Sequence, residues 1–172
     1  MGVVKINFNY VAYPNKLNLG CGYDIRSGYL NIDFQSFHSP DLIADITNLE
    51  MLPSGYYEEI IAQDVLEHIP RTQTQTVLNE WSRLLKQQGL LKIRTTNILG
   101  AFKLFSWPGF DTAEKHEELM HCIFGTQAYN GDFHYTAFTE TLIRCYLNHT
   151  GLTIISIQPK DEWLFDIVAQ KL

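Results

Sequence analysis

The stretch from Leu17 to Asp33, LNLGCGYDIRSGYLNID, constrains the fold more than any other part of the chain. A short apolar run ends in Gly20-Cys21-Gly22, and a second apolar run ends on Asp33. That order reads as a strand, a glycine turn, a crossover and a second strand with a carboxylate at its tip. Glycines at the first turn let the backbone approach a ligand closely, because no Cβ intervenes. A carboxylate at the tip of the second strand is placed to accept hydrogen bonds from a ribose. The residues point to a nucleoside-cofactor site; the competing reading is an ordinary glycine turn followed by an incidental Asp.

Spacing narrows the ligand. A dinucleotide fingerprint needs a third glycine three residues after the second, a position held here by Ile25. It also places its acidic residue about 20 residues on, and Asp33 arrives well before that. No pyrophosphate cradle is evident, and a nucleoside lacking phosphates, such as S-adenosylmethionine, suits the pattern.

Four further apolar runs follow: Leu30–Ile32, Leu42–Asp45 (again ending on a carboxylate), Ile60–Ala62 and Leu90–Ile93. With Leu17–Leu19 they predict a parallel sheet covered on both faces. Between the fourth and fifth strands a helix is expected from Pro70, with Thr72 and Gln75 as a capping box and Gly89 as its stop. Val77, Leu78, Trp81, Leu84 and Leu85 form its apolar stripe. A second helix is predicted over Thr139–Asn148, ending at Gly151. Thr153–Ile157 and Trp163–Ala169, joined by a turn at Pro159-Lys160-Asp161, are too close for a parallel crossover and predict an antiparallel hairpin. Val3–Phe8 reads as an extra edge strand, and Tyr10–Pro14 as a segment packed over the sheet or the ligand.

The connections from strand one to two and from two to three are shorter than the dozen or so residues a parallel crossover usually takes. The first two helices are therefore expected to shrink to about a turn. One sheet face would then be thinly covered, leaving it to the N-terminal segment or to a second subunit of a homodimer. The whole chain reads as one α/β domain over 1–172, a Rossmann-like, mostly parallel sheet with a C-terminal antiparallel hairpin. Residues 1–15 form an N-terminal segment and 98–138 a cap on the acceptor side.

Composition excludes several classes. A net charge of −6 weighs against nucleic acid, which needs a basic footprint. No apolar run reaches the 18 or so residues of a membrane span, and no signal peptide is evident. Three scattered cysteines, Cys21, Cys122 and Cys145, form neither a disulfide framework nor a zinc motif. Together these predict a cytoplasmic protein.

Five segments resemble the class I S-adenosylmethionine-dependent methyltransferases, specifically the type-11-like branch: LNLGCG at 17–22, NID at 31–33, ADI at 44–46, QDVLEHI at 63–69 and WSRLLKQQG at 81–89. The family often has Lys-Pro-Gly-Gly where this chain has Lys86-Gln87-Gln88-Gly89. The resemblance implies that Gly20, Cys21 and Gly22 hold the amino-acid end of the cofactor and Asp33 its ribose. Asp45 and Ile46 would meet the adenine, and Gln63 would lie beneath the sulfonium. For Asp45 an ordinary turn or cap role is the competing reading.

Methyl transfer asks the protein mainly for positioning, with a base where the acceptor is a hydroxyl or a protonated amine. His68 is the first candidate base, Asp64 stands beside it, and His134 in the aromatic-rich 98–138 segment is a second contact. Asp64, Glu67 and His68 also match an acidic-x-x-Glu-His metal set, although relatives carry Leu-Glu-His without metal, and no metal is expected. Most rings of the cap are expected to form its own small core. The acceptor reads as a small molecule or glycan. Rival readings are an inactive partner subunit and a polyamine synthase, the latter poorly matched by Gln63-Asp64.

Overall fold

The computed structural model describes residues 8–172, so the edge strand expected from Val3 lies, all but Phe8, outside the described residues. Seven strands form one sheet in the order β3-β2-β1-β4-β5-β7-β6. They are β1 (Lys16–Leu19), β2 (Leu30–Asp33), β3 (Leu42–Ile43), β4 (Tyr57–Gln63), β5 (Leu85–Thr96), β6 (Leu152–Lys160) and β7 (Leu164–Lys171). The first five are parallel; β7 runs antiparallel between β5 and β6 and closes the expected hairpin.

Side chains alternate across a strand, and the two faces differ sharply. On one face Leu17 and Leu19 of β1 lie opposite Leu30 and Ile32 of β2, and all four are fully buried. Helices α1 (Thr74–Leu84) and α4 (Glu140–Asn148) cover this face with Val77, Leu78, Trp81, Leu84, Ile143 and Leu147. Each such side chain stabilises the fold by about 1.5–3 kcal/mol. Trp81, fully buried, satisfies its indole by donating from Nε1 to the Ile46 carbonyl at 3.1 Å.

The other face is polar, which corrects the expectation of strands buried on both sides by apolar packing. Asn18 and Asn31 stand opposite each other, and Asn18 Nδ2 donates to Asn31 Oδ1 at 3.0 Å. Asn18 Nδ2 also donates to the Asp24 carbonyl at 2.7 Å, and the Arg26 N–H donates to Asn31 Oδ1 at 2.8 Å. Asn31 Nδ2 reaches Asp41 Oδ2 at 2.8 Å. Both short crossovers are thus tied to the sheet by hydrogen bonds where a longer crossover would pack a helix. Further along the same face Lys92 pairs with Glu59 at 2.7 Å and Arg94 with Asp166 at 2.9 Å. The thin layer expected here is real, and it is hydrophilic rather than apolar.

Three local expectations are corrected. The Thr72–Gln75 capping box does not form; α1 starts at Thr74 after an uncapped Gln73, and Gln75 Nε2 donates instead to Asn79 and to the Tyr146 carbonyl. Gly89 does not stop the helix, which ends at Leu84 and runs straight into β5. Gly89 sits in a bulge between the pairs Tyr57↔Leu85 and Glu59↔Leu90, where a Cβ would lie 2.8 Å from the Lys86 carbonyl oxygen. The cap contains α2 (Ile98–Leu104) and α3 (Ala113–Phe124), yet Phe102, Trp107, Phe124, Tyr129, Phe133 and Tyr135 are exposed. Of the cap rings only Phe138 is fully buried, so most are surface rather than core.

Candidate active site

The C-terminal ends of β1, β2 and β4 meet around a cavity of about 400 Å³. At the end of β1, Gly20 adopts φ +60 and packs so tightly on Val65 that a Cβ there would stand 2.5 Å from Val65 Cγ2. Only glycine meets both demands. Gly22 follows at φ +51, and its N–H donates to Asp33 Oδ2 at 2.8 Å. The Gln35 N–H donates to the other carboxylate oxygen at 2.7 Å.

Asp33 is therefore buried with protein partners already in place, which corrects the picture of a strand-end carboxylate left for a ligand to satisfy. A carboxylate accepts about four hydrogen bonds, so capacity remains. His38, buried behind it, brings Nδ1 to 3.1 Å from Asp33 Oδ1, but out of line for a hydrogen bond. After β3, Asp45 lies exposed on the cavity wall, and its Oδ1 accepts from the Thr47 N–H at 2.9 Å. That local turn is the modest role the sequence also allowed. It leaves Oδ2 open, and Ile46 lines the wall beside it.

Of the seven residues expected to touch a cofactor, Gly20, Gly22, Asp33, Asp45 and Ile46 line this cavity. Cys21 and Gln63 do not, and both are corrections. Cys21 is buried, and desolvation and then Asp33 push its thiol up to about 12. Gln63 falls on the polar face, because the inward position of β4 is taken by Ala62; its Oε1 accepts from Arg26 Nη2 at 2.7 Å. Sequence reasoning missed His38 and Gln35, which also line the wall. They follow the second strand directly, the only signal available; Tyr129, one of the aromatics of the 98–138 segment, joins them on that wall.

A second cavity, of about 410 Å³, adjoins the first through shared Asp64, His68 and Tyr129, and adds Glu67 and His134. The three proposed catalytic residues are thus brought together. Asp64 takes φ +55, unusual for a non-glycine residue and of the kind that collects at functional sites. Its N–H is fixed to the Arg94 carbonyl at 3.0 Å. His68 turns Nδ1 to the Phe133 carbonyl at 3.2 Å, and His134 turns Nδ1 to the Cys122 carbonyl at 3.2 Å. A carbonyl only accepts, so each Nδ1 carries the proton and each neutral ring keeps its lone pair on Nε2. Burial lowers both imidazoles, His134 to about 4 with His68 adding to the effect.

Glu67 is the group the sequence undervalued. It is almost wholly buried, and desolvation pushes its carboxyl up to about 7. Thr95 and Thr96 donate their hydroxyls to its two oxygens at 2.9 and 3.4 Å. Glu67 thus turns to the threonines of β5, and among the described residues no three His, Cys, Asp or Glu side chains converge as a metal set.

A glycine turn on β1, an acidic tip on β2 and a cavity across the C-terminal ends of parallel strands define a Rossmann-like domain that binds a nucleoside cofactor. The family model described as a methyltransferase domain matches residues 12–93, which run from the segment before β1 into β5. Over that span, just under half of its length, the chain is similar to methyltransferase domains, and the cofactor that this similarity and the site support is S-adenosylmethionine. The residues fit that group: Gly20 leaves room where a Cβ would stand, His38 Nδ1 lacks an aligned partner, and Asp45 faces the cavity.

Solved structures share the fold at low identity. A possible exported protein from Bordetella parapertussis superposes with a TM-score of 0.65 at 12% identity, covering 92% of this chain. This chain spans only 62% of that protein's length. A S-adenosylmethionine-dependent methyltransferase from Methanosarcina mazei gives a TM-score of 0.62 at 16% identity, covering 91% of this chain and 92% of its own. The 1,6-didemethyltoxoflavin-N1-methyltransferase of Burkholderia thailandensis, solved with 1,6-didemethyltoxoflavin and S-adenosylhomocysteine, gives 0.60 at 13% identity, covering 96% and 75%. No curated protein sequence matches the chain.

Proposed function

We propose that the protein methylates a hydroxyl or amine of a small-molecule or glycan-like acceptor seated in the second cavity. The observation that carries this reading is the shared wall: Asp64 and His68 line both cavities, so a group held in one faces a group held in the other. Backbone at Gly20 and Gly22 holds the amino-acid end of S-adenosylmethionine, Asp33 its ribose, and Asp45 with Ile46 its adenine. When bound, the cofactor supplies a methyl carbon activated by a sulfonium.

His68 accepts the acceptor's proton at Nε2, its Nδ1 proton being tied to Phe133. His134, edge-on to that ring with centroids 4.6 Å apart, positions the acceptor. Asp64 favours the imidazolium that forms on His68. Support for the acceptor class comes from the cavity's size and mixed lining, and from the small aromatic acceptor bound to the Burkholderia thailandensis enzyme. The test is to incubate the protein with S-adenosylmethionine and a panel of phenols, amines and sugars, and to measure S-adenosylhomocysteine release. Turnover on a panel member that falls in His68→Ala supports the reading. Cofactor binding by calorimetry with no turnover on any member would overturn it.

A further inference from the structure

A third cavity, of about 420 Å³, lies beyond the histidines, bounded by α2, α3 and the β6–β7 turn. It shares Cys122 and Trp163 with the second cavity, so the two are neighbours across one wall. Its lining combines three aromatic rings, Trp107, Phe110 and Trp163, with three carboxylates, Glu118, Asp161 and Glu162. No Lys, Arg or His is among the lining residues. Ring faces and carboxylates attract the same ligand, a cation, and the ring faces favour one with little hydration to lose.

The chain's own side chains already use this chemistry at the rim. The Lys115 ammonium sits 5.8 Å above the Phe110 ring and 2.6 Å from Glu118. Asp161 is paired with Lys160 at 3.6 Å. The Glu162 carboxylate has no cationic partner among the described residues. The turn carrying it is held rigidly: Asn97 Nδ2 donates to the Glu162 carbonyl at 3.0 Å, and the Asn97 N–H donates to the Trp163 carbonyl at 2.7 Å. Gly100 leaves space for that turn, since a Cβ there would stand 1.8 Å from the Glu162 carbonyl oxygen.

We infer that this outer cavity takes an organic ammonium group, between Trp107 and Trp163 and against Glu162, and that this group is the distal end of the methyl acceptor. The second half of the inference rests on the proposed function, because it needs the acceptor to occupy the neighbouring histidine cavity.

Binding is measured by calorimetry with choline and with its uncharged tert-butyl analogue, which has the same shape. The wild-type protein is expected to bind choline about tenfold more tightly than the analogue. Trp107→Ala and Glu162→Gln should each weaken choline binding by about fivefold or more. Both residues are exposed and lie outside the cofactor cavity, so S-adenosylhomocysteine affinity should stay unchanged and reports that the variants are folded. Equal binding of choline and analogue, no binding of choline, or unchanged choline binding in both variants overturns the ammonium site. Failure of the wild type to bind S-adenosylhomocysteine would strike the cofactor reading alone and leave the choline result standing. In the acceptor panel, cationic members should show a lower KM than matched neutral ones, and Glu162→Gln should erase that advantage without changing kcat. A choline-selective site with no such advantage overturns its assignment to the acceptor.

Discussion

The rings of His68 and His134 meet edge to face with centroids 4.6 Å apart, and each is tethered through Nδ1 to a backbone carbonyl. The tethers come from the cap, the Phe133 and Cys122 carbonyls, so the cap fixes the tautomer of the residue that ends the β4 turn. Two bases of the same form side by side divide their work by position rather than by charge.

On that division, His68→Ala should lower kcat by about a hundredfold or more and leave S-adenosylmethionine affinity within a few fold. His134→Ala should chiefly raise the acceptor's KM. Steady-state kinetics on an acceptor from the panel, with calorimetry for the cofactor, separates the two. Full turnover in both variants would leave positioning alone to carry the reaction.

Glu67 and His134 titrate in opposite senses, and the sign of each can be followed. Burial raises Glu67 from its ordinary 4.5 to about 7, so its contribution to stability is fully present below 4.5 and is lost as pH rises through about 7. Burial lowers His134 from 6.5 to about 4, so its contribution is present above 6.5 and is lost as pH falls through about 4. Between those limits the folded chain holds one proton on Glu67 and the unfolded chain one on the histidine. These two slopes cancel, so the rise of wild-type stability from about pH 5 to 6.5 is left to His68, whose imidazole burial also lowers, and should be shallow. Glu67→Gln should unmask a rise of up to about 1.4 kcal/mol per pH unit across this window, and His134→Gln a comparable fall. Urea melts at three pH values would show it. A steep wild-type profile would mean that the two groups do not offset each other.

Asp33 and Asp45 should part company when each is truncated. Asp33→Ala removes the acceptor for the Gly22 and Gln35 amides and should cost about 2–4 kcal/mol of stability along with cofactor affinity. Asp45→Ala removes one exposed turn contact and should weaken S-adenosylmethionine binding while shifting Tm by little. Thermal melts with and without the cofactor test both. An Asp33→Ala protein with wild-type affinity would remove the ribose assignment.

The asparagine pair predicts coupling. Asn18→Ala should cost about 1–3 kcal/mol by leaving Asn31 Oδ1 and the Asp24 carbonyl short of a donor. Because Asn31 loses the same bond, the double variant should cost less than the sum of the singles by about 0.5 kcal/mol or more. Strict additivity in denaturant melts would show that the two side chains act independently.

The parts legible in the sequence were those set by local pattern. Leu17–Leu19, Leu30–Ile32 and Ile60–Ala62 stand within their strands, Thr139 caps α4, and the closing hairpin forms, although Pro159 and Lys160 extend β6 and its turn falls at 161–163. In two strands, one polar letter held the missing information. LNL and LNI read as apolar runs, but their asparagines point to the opposite face and make it hydrophilic. Gln63 was misplaced for the same reason, since a strand-end residue faces one side or the other by parity alone. Gly89 looked like a helix stop because glycine is common there, while its real constraint is two carbonyls brought close by tertiary packing. Glu67 could be found in the motif but not valued, because its role depends on Thr95 and Thr96 reaching it from β5.

The hydrogen-bonded crossovers also bear on how the chain reaches this structure. Connections this short make the pairing of β1 with β2, and of β2 with β3, nearly local, so closing them costs little chain entropy. The β6–β7 hairpin is equally local. The expensive contacts are β4 beside β1, where Leu17 must find Ile60, and β7 beside β5, where Leu90 must find Gln170. Folding should then be paced by the docking of local pieces along those two seams, the first of which is where Gly20 and Val65 later meet.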